Sequence, residues 1–384
     1  MSLQRVVTQA FIDQFGGEPT IVVRAPGRVN LIGEHTDYNE GFVMPMAIDR
    51  AVWMAIRPRE DLRVWIKSLE MDEPADFALD AIEKGSGWQE YVKGMAWALL
   101  EDGYDLSGWE GIVSSDVPVG AGLSSSAALE MATAQAFMAV SGQAWDAVKM
   151  AQLGQKTENQ WMGANTGIMD QMISASGVAD HALLIDCRDL SSRQIPLPEN
   201  TVIVILDTMT RHTHTDSGYN ERRAQCEQAA AFFEVPFLRD VALDEYKARK
   251  KELDQIDRDR VVSRRAKHVI SENARVLESE KVMYNGDAHL MGLLMNSSHA
   301  SLRDDFEVTN AALDMMAALA QEAEGCYGAR MTGGGFGGCA VALVHVDYAE
   351  SFANEVARDY RDIQGLVPMI YICKATDGTK VIER

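Results

Sequence analysis

The chain has 384 residues, room for two domains of ordinary size. With 47% hydrophobic and 24% charged residues it is composed as a globular protein with an ample core, not as a disordered or fibrous chain. Its formal net charge of −21 argues against general attraction to nucleic acid or an anionic membrane, so a phosphate-bearing ligand must be met by local Lys or Arg, backbone N–H groups or a divalent cation. The opening MSLQRVVTQAFIDQF has the pattern of an amphipathic helix without the continuous apolar core of a signal peptide. No apolar run is long enough to span a bilayer. The cysteines (Cys187, Cys226, Cys326, Cys339, Cys373) are widely spaced and form no CxxC pair, so neither a disulfide framework nor a zinc site is expected. The expected compartment is the cytoplasm.

In chain order, a helix over Val6–Phe15 closes at Gly16-Gly17, and Thr20–Val23 reads as a strand. RAPGRVNLIGEHTDYNEG follows, from Arg24 to Gly41, with a turn expected at Pro26-Gly27. Arg28, Glu34, His35, Asp37, Tyr38 and Asn39 crowd this stretch. Such a density of hydrogen-bonding side chains suits a polyhydroxylated ligand, because each sugar hydroxyl both donates and accepts. A solvated turn with an incidental ion pair is the other reading of the same residues. Strands are expected at Ala51–Ile56 and Leu62–Ile66, with Ser68 just beyond. A core helix is expected over Trp88–Leu100, with Tyr91, Met95, Ala98 and Leu99 at helical spacing.

The next stretch, PVGAGLSSSA from Pro118 to Ala127, lies between a short strand (111–117) and a run of strong helix formers. Gly120 and Gly122 let the backbone come close to a ligand, and the new helix leaves its first N–H groups unpaired at the positive end of its dipole. That combination seats phosphate. The loop matches neither GxxxxGK[ST] nor GxGxxG, and a plain strand–turn–helix joint with a serine cap also fits it.

A helix is expected over Ala144–Trp161 with Glu158 near its end, then the loop GANTGIMDQMI with Asp170 in the first turn of another helix. Pro196 and Pro198 mark a linker, which divides the chain into domains 1–198 and 199–384. Val202–Leu206 reads as a buried strand, and Ser217 as the cap of a helix that begins at Gly218 and carries Tyr219. His212 and His214 form an HxH pair with no further ligand at metal spacing. Lys247–Lys251 and Arg258–Lys267 read as solvated faces, and the methionines of 290–295 as core filler. In MTGGGFGGCAVALV, from Met331, five glycines crowd one loop before a strand, as close backbone packing demands. A helix (349–360) and a last strand (367–373) complete this half.

Three of these stretches carry a resemblance. GRVNLIGEHTDYNEGFVMPMAI resembles the N-terminal signature of the galactokinase family, while PVGAGLSSSAALE and the Met331 motif resemble motifs shared across the GHMP kinases. The resemblance runs from about Phe11 to the C-terminus. It implies an α+β fold of two domains, the first like ribosomal protein S5 and the second ferredoxin-like. It implies ATP-dependent phosphorylation of galactose at the anomeric hydroxyl. The roles it implies are Asp170 as catalytic base and Arg28 as counter-charge. Glu34, His35, Thr36, Asp37, Gly167 and Tyr219 would hold the sugar. Ser68 and the loop Gly120, Ala121, Gly122, Leu123, Ser124, Ser125 and Ser126 would hold ATP. Mg²⁺ would sit on Ser126 and Glu158, and the Met331 motif would support the Gly120–Ser126 loop. The partners implied are small molecules, galactose and ATP, with no nucleic acid and no membrane, on a monomer or weak homo-oligomer. A kinase for N-acetylgalactosamine and a non-catalytic sugar sensor stand as the alternatives.

Overall fold

In the computed structural model, which describes residues 2–118, 120–164, 166–210, 215–257 and 259–382, a long strand β1 (Ile21–Ile32) anchors the first sheet. The turn expected at Pro26-Gly27 does not form. β1 runs through both residues, antiparallel to β2 (Phe42–Pro58), with register shifts between Pro26 and Arg28 and between Asn30 and Ile32. Proline, which cannot donate to a ladder, is tolerated at such a bulge. Gly27 serves a close approach instead: a Cβ here would stand 2.9 Å from the Leu123 carbonyl oxygen.

β3 (Arg63–Ser68), β4 (Ala75–Ala78) and β5 (Trp109–Ser115) continue the sheet in the order β1-β2-β5-β3-β4. Its strands bury side chains on both faces. Ala55 and Ile112 point to one face and meet Val7 and Phe11 of α1 (Leu3–Phe15). Met54, Ile56 and Val113 point to the other and meet α2 (Gln89–Glu101) and α3 (Ser125–Val140). The period of two along a strand produces this division. α4 (Ala147–Lys156) runs directly into a π-helical segment, Thr157–Met162, and α5 (Met169–Ser176) lies beside α3 and α4. β6 (His181–Asp186) pairs with the start of β2, and β7 (Ser192–Pro196) pairs with β6.

After residues 197–200 the chain builds a second, antiparallel sheet from β8 (Thr201–Asp207), β9 (Cys326–Thr332), β10 (Cys339–His345) and β11 (Met369–Cys373), in the order β11-β8-β10-β9. In sequence terms this is fourth, first, third, second, the ferredoxin-like order. A helical insert stands between β8 and β9: α6 (Thr215–Phe233), α7 (Leu243–Ile256), α8 (Val261–Tyr284), α9 (Ala288–Ser301) and α10 (Ala311–Glu322). α11 (Ala349–Gln364) joins β10 to β11. One face of this sheet packs on α10 and α11. The other shares a core with β1, β2 and the buried methionines Met291 and Met295 of α9, the filler role expected of them. β12 (Lys380–Val381) then returns to the first sheet and pairs with β1, so the last residues of the second half belong to the first sheet. No described helix is long and apolar enough to cross a membrane.

One more expectation needs correction. The face 258–267 is not wholly solvated: Arg265 is buried and donates to the Asp305 carbonyl, Gln225 and Glu307. Its neighbour Arg258, the HxH pair and the side chain of Ser217 lie outside the described residues.

Candidate active site

Strand β1 delivers Arg28 into the seam between the two sheets, where it is almost fully buried. A lone guanidinium is costly there, and the surroundings compensate. Its Nε donates to Asp170 Oδ1 at 2.8 Å and Nη2 to Oδ2 at 2.7 Å, a bidentate fork, while Nη1 donates to the Gly122 carbonyl at 2.5 Å. Burial lowers the Arg28 pKa, but the Asp170 charge and hydrogen bonds outweigh it and the net direction is up. Arg28 thus ties the start of α5, which carries Asp170, to the serine-rich loop.

That loop is held by its carbonyls. The Ala121 oxygen accepts from the Cys339 thiol at 2.9 Å, the Gly122 oxygen from Arg28 Nη1, and the Leu123 oxygen from the Arg28 backbone N–H at 3.1 Å. Gly120 (φ +72°) and Gly122 (φ +75°) are exposed and left-handed, whereas Ala121 and Leu123 are buried in the shared core. The side chains of Ala121 and Leu123 are therefore anchors, and only their backbone faces a ligand. The Met331 motif backs the loop, as expected of it: a Cβ on Gly333 would stand 3.6 Å from the Gly122 oxygen, and one on Gly338 3.8 Å from the Ala121 oxygen. Ser124 adopts φ +57° at the head of α3, yet caps no helical N–H. Its hydroxyl instead donates to Asp170 Oδ2. The first N–H groups of α3 carry no side-chain cap.

A cavity of about 150 Å³ is lined by Arg28, Glu34, His35, Asp37, Gly167, Asp170 and Tyr219, together with Glu158 and Gln171. Glu34 is buried and ion-paired to the fully buried Arg330 (Nη2–Oε2 3.1 Å), and it also accepts from Asn30 Nδ2 and the Gly333 N–H. Burial pushes its pKa up, and Arg330 and Gly333 pull it back. His35 is held near a pKa of about 3, by burial first and then by His268, so the ring is neutral at pH 7. Its Nε2 donates to the Gly334 carbonyl at 3.2 Å, and Nδ1 accepts from the Tyr38 hydroxyl at 2.9 Å. The Tyr219 ring lies 5.5 Å from His35 and 5.1 Å from Tyr38.

Thr36 is the exception. It is fully buried, its hydroxyl donates to the Gly33 and Phe42 carbonyls, and it does not line the cavity. Its side chain shapes the turn that presents Glu34 and Asp37.

Gly167 has a steric reason to be glycine. A Cβ there would fall 1.6 Å from Asp37 Oδ2. Gly167→Ala must displace Asp37, at a cost of about 1–3 kcal/mol for overpacking. We expect the variant to fold but to weaken binding of a polyhydroxylated ligand in this cavity roughly tenfold or more.

Asp37 has its pKa raised to about 6, by burial first and then by the Asp170 charge. Because this lies above the ordinary value of about 3.9, Asp37 contributes to stability at low pH and loses that contribution as pH rises through about 6. For ligand binding the sign is opposite. The carboxylate accepts hydroxyl protons better than the acid, so a polyhydroxylated ligand of this cavity should bind more weakly as pH falls through about 6. Titration calorimetry across about pH 5 to 8 checks this.

A second, apolar recess of about 220 Å³ is lined by Ser68, Met71, Trp88, Tyr91, Val113 and Leu129 and reaches Ser125 and Ser126. Ser68 is buried and donates to Glu70 at 3.0 Å. Tyr91, read from the sequence as core, is half-buried on this recess, while Met95, Ala98 and Leu99 are buried as expected.

Ser126 on the apolar recess and Glu158 on the polar cavity are neighbours. Glu158 stands in the π-helical segment, its pKa raised by burial and then, against the neighbouring Ser126 and Thr166 hydroxyls, by the charge of Asp170. A half-buried carboxylate beside a hydroxyl, with no cluster of three acid, His or Cys ligands among the described residues, is a donor set that fits Mg²⁺: hard oxygens, few protein ligands, room for water and phosphate.

Several site residues carry no signal in the sequence. Arg330 is one arginine in an apolar strand, 296 residues from the Glu34 it pairs with. α8 supports the signature turn from beneath: Glu272 accepts from Gly33 N–H at 3.0 Å, Asn273 accepts from Phe42 N–H at 2.9 Å, and His268 bonds the Glu34 carbonyl at 3.1 Å. Glu272 is held down near a pKa of about 2, with Arg275 and His268 overcoming burial.

Family models match in three places: the galactokinase galactose-binding signature over residues 9–58, the GHMP kinase N-terminal domain over 90–178 and the GHMP kinase C-terminal domain over 279–362. The chain is 45% identical to a galactokinase of Roseiflexus sp. (strain RS-1), over 96% of this chain and 95% of that one. It superposes on Lactococcus lactis galactokinase complexed with galactose with a TM-score of 0.92 at 35% identity, covering 99% of this chain and all of that one. Methanococcus jannaschii mevalonate kinase, at 18% identity and a TM-score of 0.65 over 94% and 99% of the two chains, shares the fold. With signature, loop and glycine-rich motif converging on one cleft, and with this level of identity along almost the whole length, the chain belongs to the galactokinase family of the GHMP kinases, which transfer a phosphoryl group from ATP.

Proposed function

We propose that this cleft transfers the γ-phosphoryl group of ATP to the anomeric hydroxyl of α-D-galactose, giving α-D-galactose 1-phosphate and ADP. The observation that carries the proposal is the Arg28–Asp170 fork, which lies between a polar sugar-sized cavity and a phosphate-ready helix start.

The sugar would lie among Glu34, His35, Asp37 and Tyr219, with Gly167 leaving space for Asp37. The Asp37 carboxylate discriminates hydroxyl positions, because a mismatched hydroxyl leaves it without a donor, whereas both nitrogens of the His35 ring are already bonded to Gly334 and Tyr38. The base of ATP would take the apolar recess between Trp88, Tyr91 and Leu129, and its phosphates the exposed N–H groups at the start of α3. Asp170 would accept the proton of the anomeric hydroxyl or align that hydroxyl for in-line attack. Arg28 would counter charge on the transferred group while fixing Asp170. Ser126 and Glu158 would hold Mg²⁺, which when bound neutralises phosphate charge. Positioning and electrostatics suffice for this chemistry, so no covalent intermediate is needed.

The proposal extends to a monomer or weak homo-oligomer in the cytoplasm. The free state of all five cysteines favours a reducing compartment. ADP release with galactose, glucose and N-acetylgalactosamine side by side tests the substrate: galactose should be turned over fastest, and preference for either other sugar would reassign it.

A further inference from the structure

Between the serine-rich loop and Asp170 lies a pair of side chains to which the proposed reaction gives no part. Glu130 is in α3, one turn beyond Ser126, and Gln171 follows Asp170 in α5; both are buried. Gln171 Nε2 donates to Glu130 Oε2 at 3.0 Å. Each residue has one further oxygen, Glu130 Oε1 and Gln171 Oε1, and neither has a hydrogen-bond partner among the described residues. The slot is tight on the α4 side: a Cβ on Gly154 would stand 2.8 Å from Gln171 Cγ and 2.7 Å from Met131 Cε. The charged groups that face Glu130 are Glu158 of the π-helical segment and Asp170 of α5, both acidic, and Tyr91 of α2 presents a phenol. No cation is ion-paired to it among the described residues.

We propose that Glu130 carries a proton and forms a cyclic, two-bond acid–amide pair with Gln171, which pins α3 behind the serine-rich loop to α5 beside Asp170. Gln171 N–H goes to one carboxyl oxygen, and the carboxyl O–H goes to the Gln171 oxygen. One proton satisfies both orphaned atoms together, whereas a carboxylate leaves both without a donor. Burial pushes the Glu130 carboxyl up from its ordinary range, in the same direction. Glu130 and Gln171 are then positioning residues for the reaction proposed above. That part rests on the proposed reaction; the proton does not.

Glu130→Gln is the central test, because an amide–amide pair forms the same ring without a titratable group. In the unfolded chain Glu130 gives up its proton near about pH 4.3, and in the folded chain it keeps it. Its contribution to stability is therefore present at low pH and falls as pH rises from there toward the folded value. Glu130→Gln should fold and show a Tm that gains on the wild type as pH rises from about 5 toward the folded value. The infrared band of a protonated carboxyl should vanish in the variant. A Tm difference independent of pH, or an unchanged carboxyl band, overturns the proton. Gln171→Met removes both bonds and should lower kcat with KM for ATP unchanged, and exchanging the partners (Glu130→Gln with Gln171→Glu) should restore it. Wild-type kcat in Gln171→Met, or an exchange no better than that variant, overturns the positioning role. If the proposed reaction itself fails, the Tm and infrared measurements still report on the proton.

Discussion

Asp170→Asn should lower kcat by about 10²–10⁴-fold, the usual contribution of a positioned acid–base group, with little change in either KM. The side chain keeps its shape. Its oxygen can still accept from Arg28 Nε, but an NH₂ group replaces the oxygen that now accepts from Arg28 Nη2 and from Ser124. Donor then faces donor beside a buried guanidinium. We expect a loss of stability of about 1–3 kcal/mol, at the lower end because the Asp170 side chain is 31% exposed and solvent screens part of it. Steady-state kinetics with a thermal melt separates the two effects. Turnover within a few-fold of wild type would remove Asp170 from the chemistry.

Arg28→Lys preserves the charge and should still cost roughly 10²–10³ in kcat/KM, comparable to removing one well-placed donor from an anionic transition state. The guanidinium engages Asp170 through two nitrogens and the Gly122 carbonyl through a third. An ammonium group is a point charge without that planar fork and cannot hold both partners. The variant should therefore loosen the serine-rich loop as well as Asp170, raising KM for ATP along with the loss in kcat. Because the two residues act as one unit, Arg28→Lys combined with Asp170→Asn should be little worse than the more damaged single variant. An unchanged kcat/KM in Arg28→Lys would count against any role for the fork.

The parts of this site that are legible in the sequence are local ones. Gly120, Gly122 and the helix formers after Ser126 lie within a few residues of one another, so a phosphate-ready helix start can be read without knowing the fold. The polar run from Arg28 to Asn39 is likewise dense enough to mark a binding surface. Direction and depth are not legible. Thr36 is as polar as its neighbours, yet its hydroxyl turns inward to two carbonyls. Pro26-Gly27 has the composition of a turn, but pairing with β2 carries the strand through it, and the glycine answers to Leu123 across the seam. Arg330 and the α8 residues His268, Glu272 and Asn273 act through contacts over hundreds of residues, and no spacing rule reaches that far. The ferredoxin-like order of the second sheet has the same character, since a long helical insert separates β8 from β9. The return of β12 to β1 joins the two ends of the chain, and the final residues carry no motif that announces it.

A crystal structure of the protein with galactose and a non-hydrolysable ATP analogue tests the central claim most directly. The account predicts the anomeric oxygen within hydrogen-bond distance of an Asp170 carboxyl oxygen, the base between Trp88 and Leu129, and the terminal phosphate at the start of α3 pointing toward that oxygen. Galactose bound away from Asp170, or phosphates seated anywhere other than the Gly120–Ser126 loop, would contradict it.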